Sequence, residues 1–232
     1  MRRNAVLAAL VVAASIAGGA AAAGTVEFKG STFESEEGGF VLLGVGNRTK
    51  IGGALNIYNA GFYVNKAEAE AALKKIIEKK PGAFSCCMKS DGTPDWEKMK
   101  GSGPFNTFMW KYAFGKKLVM KFQYSVKGEQ VVGAYEETLK RTIPDFEAPD
   151  VKNAVKTFLD GVNHPVNKGQ TMVVSSSGDV VSASGPFPAV KVEKNWKFRQ
   201  AIWRIWFGPN PIQKPLKVGL TKFAEKLSWP KI

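Results

Sequence analysis

The chain has 232 residues, of which 44% are hydrophobic, 11% aromatic and 23% charged; this composition excludes a disordered chain and suffices for one domain with a sizeable core. The formal charge of +13 loses only two units with Arg2 and Arg3, so the basicity belongs to the body of the chain. The lysines are dispersed from Lys29 to Lys231, with "KNWKFR" (194–199) the densest basic and aromatic stretch; with no nucleic-acid recognition module in view, a solvated basic surface is expected, with at most weak contact to anionic membranes and no nucleic-acid partner.

The first residues, "MRRNAVLAALVVAASIAGGAAAAG", carry a basic start, an apolar run from Ala5 to Ile16 and small residues through Ala20–Ala23. This is the pattern of a signal peptide over 1–23, leaving 24–232 as the exported body in a periplasm, outside the cell or in an organelle lumen. "TVEFKGSTFE" and "FVLLGVGN" read as strands separated by Gly38-Gly39, and "LNIYNAGFYV" (55–64) as a third. "KAEAEAALKKIIEKK" (66–80) predicts a helix with Ala69, Leu73, Ile76 and Ile77 on one side, stopped by Pro81-Gly82.

The polar stretch 81–104 reads as a loop insertion under weak constraint. It contains Cys86 and Cys87, the only cysteines of the chain; a vicinal disulfide, an intermolecular bond and two free thiols all stay open. With His164 the single histidine, no metal-ligand spacing exists, and neither metal nor cofactor is expected.

"FNTFMWKYAF" (105–114) and "KLVMKFQYSV" (117–126) predict two further strands. "EQVVGAYEETLKRTI" (129–143) has helical spacing, with Val131, Tyr135, Leu139 and Thr142 on one face. "APDVKNAVKTFLDGVN" (148–163) predicts a helix N-capped by Asp150, and "QTMVVSSSGDVVSASG" (170–185) a hairpin turning at Ser177-Gly178. "WKFRQAIWRIWFG" (196–208) is an apolar helix closed by glycine, and "KPLKVGLTKFAEKL" (214–227) is amphipathic. Early strands followed by helices and hairpins give an α+β domain, a largely antiparallel sheet covered on one face by helices. No nucleophile elbow, phosphate loop, zinc-protease helix or dinucleotide fingerprint occurs.

Within "GVGNRTKIGGALNIYNAGFYV" (44–64) a single arginine, Arg48, stands among residues that read as core. Strand alternation places Arg48 with Phe40 and Leu42, and Asn56, Tyr58, Ala60 and Phe62 together on the partner strand. A guanidinium among apolar neighbours does not deprotonate and needs a partner. Glu27 or Glu34 could supply it internally; otherwise the planar fork and the Tyr58 phenol are suited to a ligand carboxylate.

That segment, with "LVMKFQYSVKGEQVVGAYEETLKRTI" and "AIWRIWFGPNPIQKPLK", resembles three successive blocks of the chalcone isomerase fold family. The resemblance spans about 40–223 and implies an open-faced β-sandwich: a large antiparallel sheet under a layer of helices, with a ligand cleft between them. It also implies either an isomerase closing a chalcone-like enone to a flavanone, or a non-catalytic fatty-acid binder. Arg48 matches the family's substrate-orienting arginine and Tyr135 its helical tyrosine. Tyr58 stands where the isomerases have threonine, Thr142 where they have asparagine, and Ile205 where they have a hydroxyl side chain.

Losing hydroxyls removes donors from a developing oxyanion. The expected function is therefore non-catalytic binding of a fatty acid or similar small apolar carboxylate by a monomer. Arg48 and Tyr58 hold the head group, Tyr135 and Thr142 are further ligand-binding candidates, and Phe62, Val131, Leu139, Ile202, Ile205 and Trp206 are candidates for the apolar wall. If the chain were an isomerase, Arg48, Tyr58, Tyr135 and Thr142 would carry the reaction.

Overall fold

The computed structural model describes residues 24–143, 146 and 148–230; the expected signal peptide, 1–23, lies outside them. The strands are β1 (Thr25–Phe28), β2 (Ser31–Glu34), β3 (Glu36–Glu37), β4 (Phe40–Lys50), β5 (Leu55–Asn65), β6 (Lys116–Phe122), β7 (Thr171–Ser177), β8 (Val180–Gly185) and β9 (Phe187–Val192). The helices are α1 (Lys66–Lys79), α2 (Trp96–Met99), α3 (Gly103–Lys111), α4 (Gly128–Thr142), α5 (Pro149–Val162), α6 (Trp196–Phe207) and α7 (Lys214–Gly219). Strands β3 to β9 pair in chain order as one antiparallel sheet, and β1–β2 is a separate hairpin. Among the described residues no helix is long and apolar enough to cross a membrane.

Alternation along β6 shows how the layers arise. Lys116, Leu118, Met120 and Phe122 are buried on the helix side, while Lys117, Val119 and Lys121 face the other way. The main core lies on the helix side, where sheet residues such as Phe62, Leu118 and Val174 meet Tyr135, Phe158, Trp203 and Trp206. A smaller cluster of Phe33, Leu42, Val45 and Tyr63 lies on the opposite side, beneath the β1–β2 hairpin. The result is an open seven-stranded antiparallel sheet with several helices packed on it, the α+β architecture expected from the sequence.

Four local expectations change. Residues 105–111 are helical, not extended: Ser102 Oγ accepts from the Phe105 amide, Pro104 occupies the first turn, and Phe105, Phe108 and Met109 bury one stripe. Their aromatic content suggests a strand, but their spacing is helical. The stretch 81–104 is not loose, since Phe84, Cys87 and Met99 are each at most 3% exposed and Phe84 stacks edge-on with Trp229; Cys86 is exposed, and both thiols are free. Ala148, not Asp150, is the N-cap of α5, with Pro149 at the first helical position and Asp150 within the first turn. The last amphipathic stretch stops as α7 at Gly219 and resumes as a short 3-10 turn, Ala224–Lys226.

Lys116 is fully buried, its ammonium 4.0 Å from the Phe114 ring centre and donating to the Tyr112 carbonyl. Arg199, from α6, donates to the Lys111 and Tyr112 carbonyls at 3.2 and 3.1 Å and pairs with Asp179 at 3.1 Å. Two cations thus satisfy the C-terminal end of α3. Burial, followed by the charge of Arg199, pushes the Lys116 pKa well below its ordinary value of 10.5. Between the lowered value and 10.5 the unfolded chain binds the proton more tightly, so stability from this group rises with pH across that window. Lys116→Met is expected to flatten that alkaline rise in urea titrations, while Arg199 keeps the Tyr112 carbonyl bonded.

Candidate functional site

Two bulges in the β4–β5 ladder set the site. Leu42 pairs with Tyr63 but Gly44 with Phe62, which leaves Leu43 as an extra residue on β4. Side-chain parity therefore inverts, and Arg48 projects to the helix side, opposite to Phe40 and Leu42 and contrary to simple alternation. Arg48 pairs directly with Tyr58. Past that pair the ladder shifts again, to Thr49 with Asn56, so Asn56 leaves the face of Tyr58, Ala60 and Phe62. It bonds Asn47 and Asn59 instead, at 3.3 and 2.9 Å.

Arg48 and Tyr58 open onto a cleft of about 230 Å³ between the sheet and helices α4 and α6. Met120, Phe122, Met172 and Ile57 form the sheet wall; Val131, Ala134 and Tyr135 of α4 and Ile205 and Trp206 of α6 form the helix wall. Arg48 and Lys50 are its cationic residues, and among the described residues no Asp, Glu or His lines it.

Arg48 is half-buried, and its Nη1 donates to the Thr49 carbonyl at 3.1 Å and to Gln213 Oε1 at 3.4 Å. Gln213 is the N-cap residue of α7, and it also accepts from the Thr49 amide at 2.9 Å and donates to Thr49 Oγ1 at 2.7 Å. Among the described residues Arg48 therefore meets neutral acceptors and no carboxylate. Glu27 accepts from Thr32, and neither Glu27 nor Glu34 reaches Arg48.

Tyr58 is 7% exposed and its hydroxyl accepts from Trp206 Nε1 at 3.5 Å. Burial raises its pKa, against smaller opposing effects from the Trp206 bond and the Arg48 charge. Tyr135 packs edge-on against Phe158 and Trp206, at 5.2 and 6.3 Å between ring centres. Burial, and then Tyr58, push its pKa well above 10. Both phenols stay protonated through neutral and moderately alkaline pH, so each presents a donor and neither serves as a base.

The remaining sequence candidates divide. Val131, Ile205 and Trp206 line the cleft. Phe62 does not, packing behind it at 4.5 Å from Phe207 and 5.7 Å from Trp203. Leu139 and Ile202 are fully buried core, and Thr142 is turned away, its hydroxyl donating to the Leu139 carbonyl at 3.3 Å. Met120, Phe122, Met172 and Gln213 go unmarked in the sequence. The alternation of β6 could have marked Met120 and Phe122; nothing local marks Gln213, which lies 165 positions from Arg48.

Residues 108–221 match the protein family described as chalcone isomerase-like. The structure is similar to the crystal structure of a fatty-acid binding protein of Arabidopsis thaliana, with a TM-score of 0.66 over 87% of this chain and 98% of that one, at 17% identity. No curated protein sequence matches the chain.

Proposed function

We propose that this chain, which has the chalcone-isomerase-like fold, is a non-catalytic binder of a fatty acid or a similar small apolar carboxylate. One observation carries the reading: Arg48, half-buried and without an acidic partner among the described residues, stands at a largely apolar cleft with the Tyr58 phenol paired across from it. The fatty-acid binding of the similar plant protein supports it.

A ligand carboxylate would replace the neutral Gln213 contact with a charge-assisted fork to Arg48 and could accept a second bond from Tyr58. The tail would lie against Met120, Met172, Val131 and Ile205. Each methylene buried there contributes about 0.8 kcal/mol gross before association costs. Export through a cleaved signal peptide, 1–23, belongs to the same proposal, as does action as a monomer.

An isomerase would have to work without a carboxylate or imidazole base among the described residues of the cleft and with Ile205 where a hydroxyl is wanted. Loss of chalcone absorbance faster than spontaneous cyclisation, and abolished in Arg48→Ala, would contradict the non-catalytic reading.

The test is titration with a fluorescent fatty acid, beside a variant that fills the cleft. Ala134 is half-buried and lines the helix wall. Ala134→Phe is expected to weaken binding by about tenfold or more through loss of tail volume, since shape mismatch of this size typically costs 1–3 kcal/mol. Its melting temperature should stay near wild type, because the new ring occupies the cleft and not the packed core. Undiminished binding in Ala134→Phe would place the ligand elsewhere.

A further inference from the structure

The turn between β4 and β5 bends through three consecutive residues with positive φ: Ile51 at 53°, Gly52 at 61° and Gly53 at 101°. Glycine adopts this region freely, but a β-branched residue there is strained. Ile51 is also 78% exposed, so its side chain gains little from the fold in return. A strained, exposed isoleucine where glycine would be easier points to something outside the molecule.

Its surroundings indicate what. Lys50 lines both the cleft and the shallow depression outside it, which is bordered by Lys29, Arg48, Ile51, Gln213 and Pro215 and among the described residues contains no Asp or Glu. Lys50 has no acidic partner among the described residues, and Lys29 is held by Asn47 Oδ1 at 3.2 Å. Tyr124, 48% exposed, belongs to the same cleft lining. The entrance therefore combines an apolar tip and an amphipathic phenol with cations and, among the described residues, no acid, which suits an anionic bilayer surface: basic groups meet headgroups while isoleucine and tyrosine enter the interface.

We infer that the β4–β5 turn docks the cleft entrance on an anionic lipid bilayer, with Ile51 and Tyr124 as the inserted residues and Lys29 and Lys50 as the headgroup contacts. This rests on the apolar-carboxylate reading only in making the bilayer the source or sink of the ligand. A carboxylate with a long tail resides in membranes, and an entrance docked there lets it pass to the cleft without crossing water.

The test is co-sedimentation of protein purified from an exporting host with phosphatidylcholine vesicles, with and without phosphatidylglycerol. Ile51→Gly and Lys50→Glu are compared with wild type. Wild type is expected on the anionic vesicles and not on the neutral ones, with the bound fraction falling as salt rises. Lys50→Glu should lower the partition coefficient by about tenfold, since each basic group near an anionic surface contributes roughly fivefold and this exchange also adds repulsion. Ile51→Gly should lower it severalfold while relieving the turn, so its melting temperature should hold or rise. Equal partition of wild type and both variants, or no binding of wild type to anionic vesicles, would overturn the inference. Solution titration with a fatty acid is the separating measurement. Vesicle binding with no fatty-acid uptake sinks the cleft reading and leaves the docking surface; unchanged uptake by Ile51→Gly together with lost docking supports the inference.

Discussion

Arg48→Ala is expected to weaken binding of a fatty acid by about 10- to 100-fold, the range of 1.5–3 kcal/mol for a hydrogen bond to a charged group. Binding of the matching methyl ester or alcohol should hardly change. The contrast is the informative part, because loss of a packing residue would weaken all three alike. Among the described residues the guanidinium contacts only the Thr49 carbonyl and Gln213 Oε1 on its polar side, so its removal leaves no buried charge unpaired, and the fold should lose less than about 1 kcal/mol. Arg48→Lys should fall between, keeping a point charge but losing the planar fork. Competition titrations with acid, ester and alcohol of one chain length decide it. Equal losses across the three would show that Arg48 does not read the carboxylate.

Gly44→Ala should be among the most destabilising single changes in the chain, by about 3 kcal/mol or more, above the usual overpacking range because the clash is with backbone. A Cβ at Gly44 would lie 2.2 Å from the Gly219 carbonyl oxygen and 2.6 Å from the Leu220 carbonyl carbon. The approach is mutual, since a Cβ at Gly219 would meet the Val45 carbonyl oxygen at 2.6 Å. Helix α7 is thus seated on β4 nearly backbone to backbone, and the Phe223 amide donates to the Leu43 carbonyl at 2.7 Å just beyond it. The consequence reaches the site, because Gln213 begins α7 and holds both Thr49 and Arg48. Lifting α7 from β4 should therefore reduce fatty-acid affinity along with stability. Gly133→Ala is the control: it sits exposed within α4 with nothing within 4 Å of the new methyl, and it should stabilise by about 0.5–1 kcal/mol. Urea denaturation of both variants measures the difference. A Gly44→Ala variant as stable as wild type would refute the close seating of α7.

The limits of sequence reading show clearly along β4 and β5. Arg48 and Tyr58 do face each other, but strict alternation puts Arg48 on the side of Phe40 and Leu42. The structure puts it on the other side, because Leu43 is an extra residue in the ladder. A bulge has no sure local signature, and one shifts every side chain beyond it by a face. Helices α1, α4, α5 and α6 follow from their apolar spacing, which depends on neighbours three and four positions away. The stretch 105–111 misleads because aromatic residues favour strands while its spacing and its Ser102 cap favour a helix. The cleft is harder still. Val131, Ile205 and Trp206 line it while Leu139 and Ile202, equally apolar and one or two helical turns away on the same helices, are core. Which residue borders empty space depends on how the helices sit on the sheet, and periodicity does not carry that. Gln213 illustrates the same gap, since its contact with Arg48 exists only because α7 returns to β4 across the whole later half of the chain.

The most direct measurement is native mass spectrometry of the protein purified without detergent, with wild type beside Arg48→Ala and with the denatured extracts identified. A carboxylate with an apolar tail bound to wild type, and absent from Arg48→Ala at equal folded fraction, is the expected result; it would place an acid ligand under the control of Arg48. A wild-type protein that arrives empty, and that takes up no fatty acid when one is added, would contradict the account.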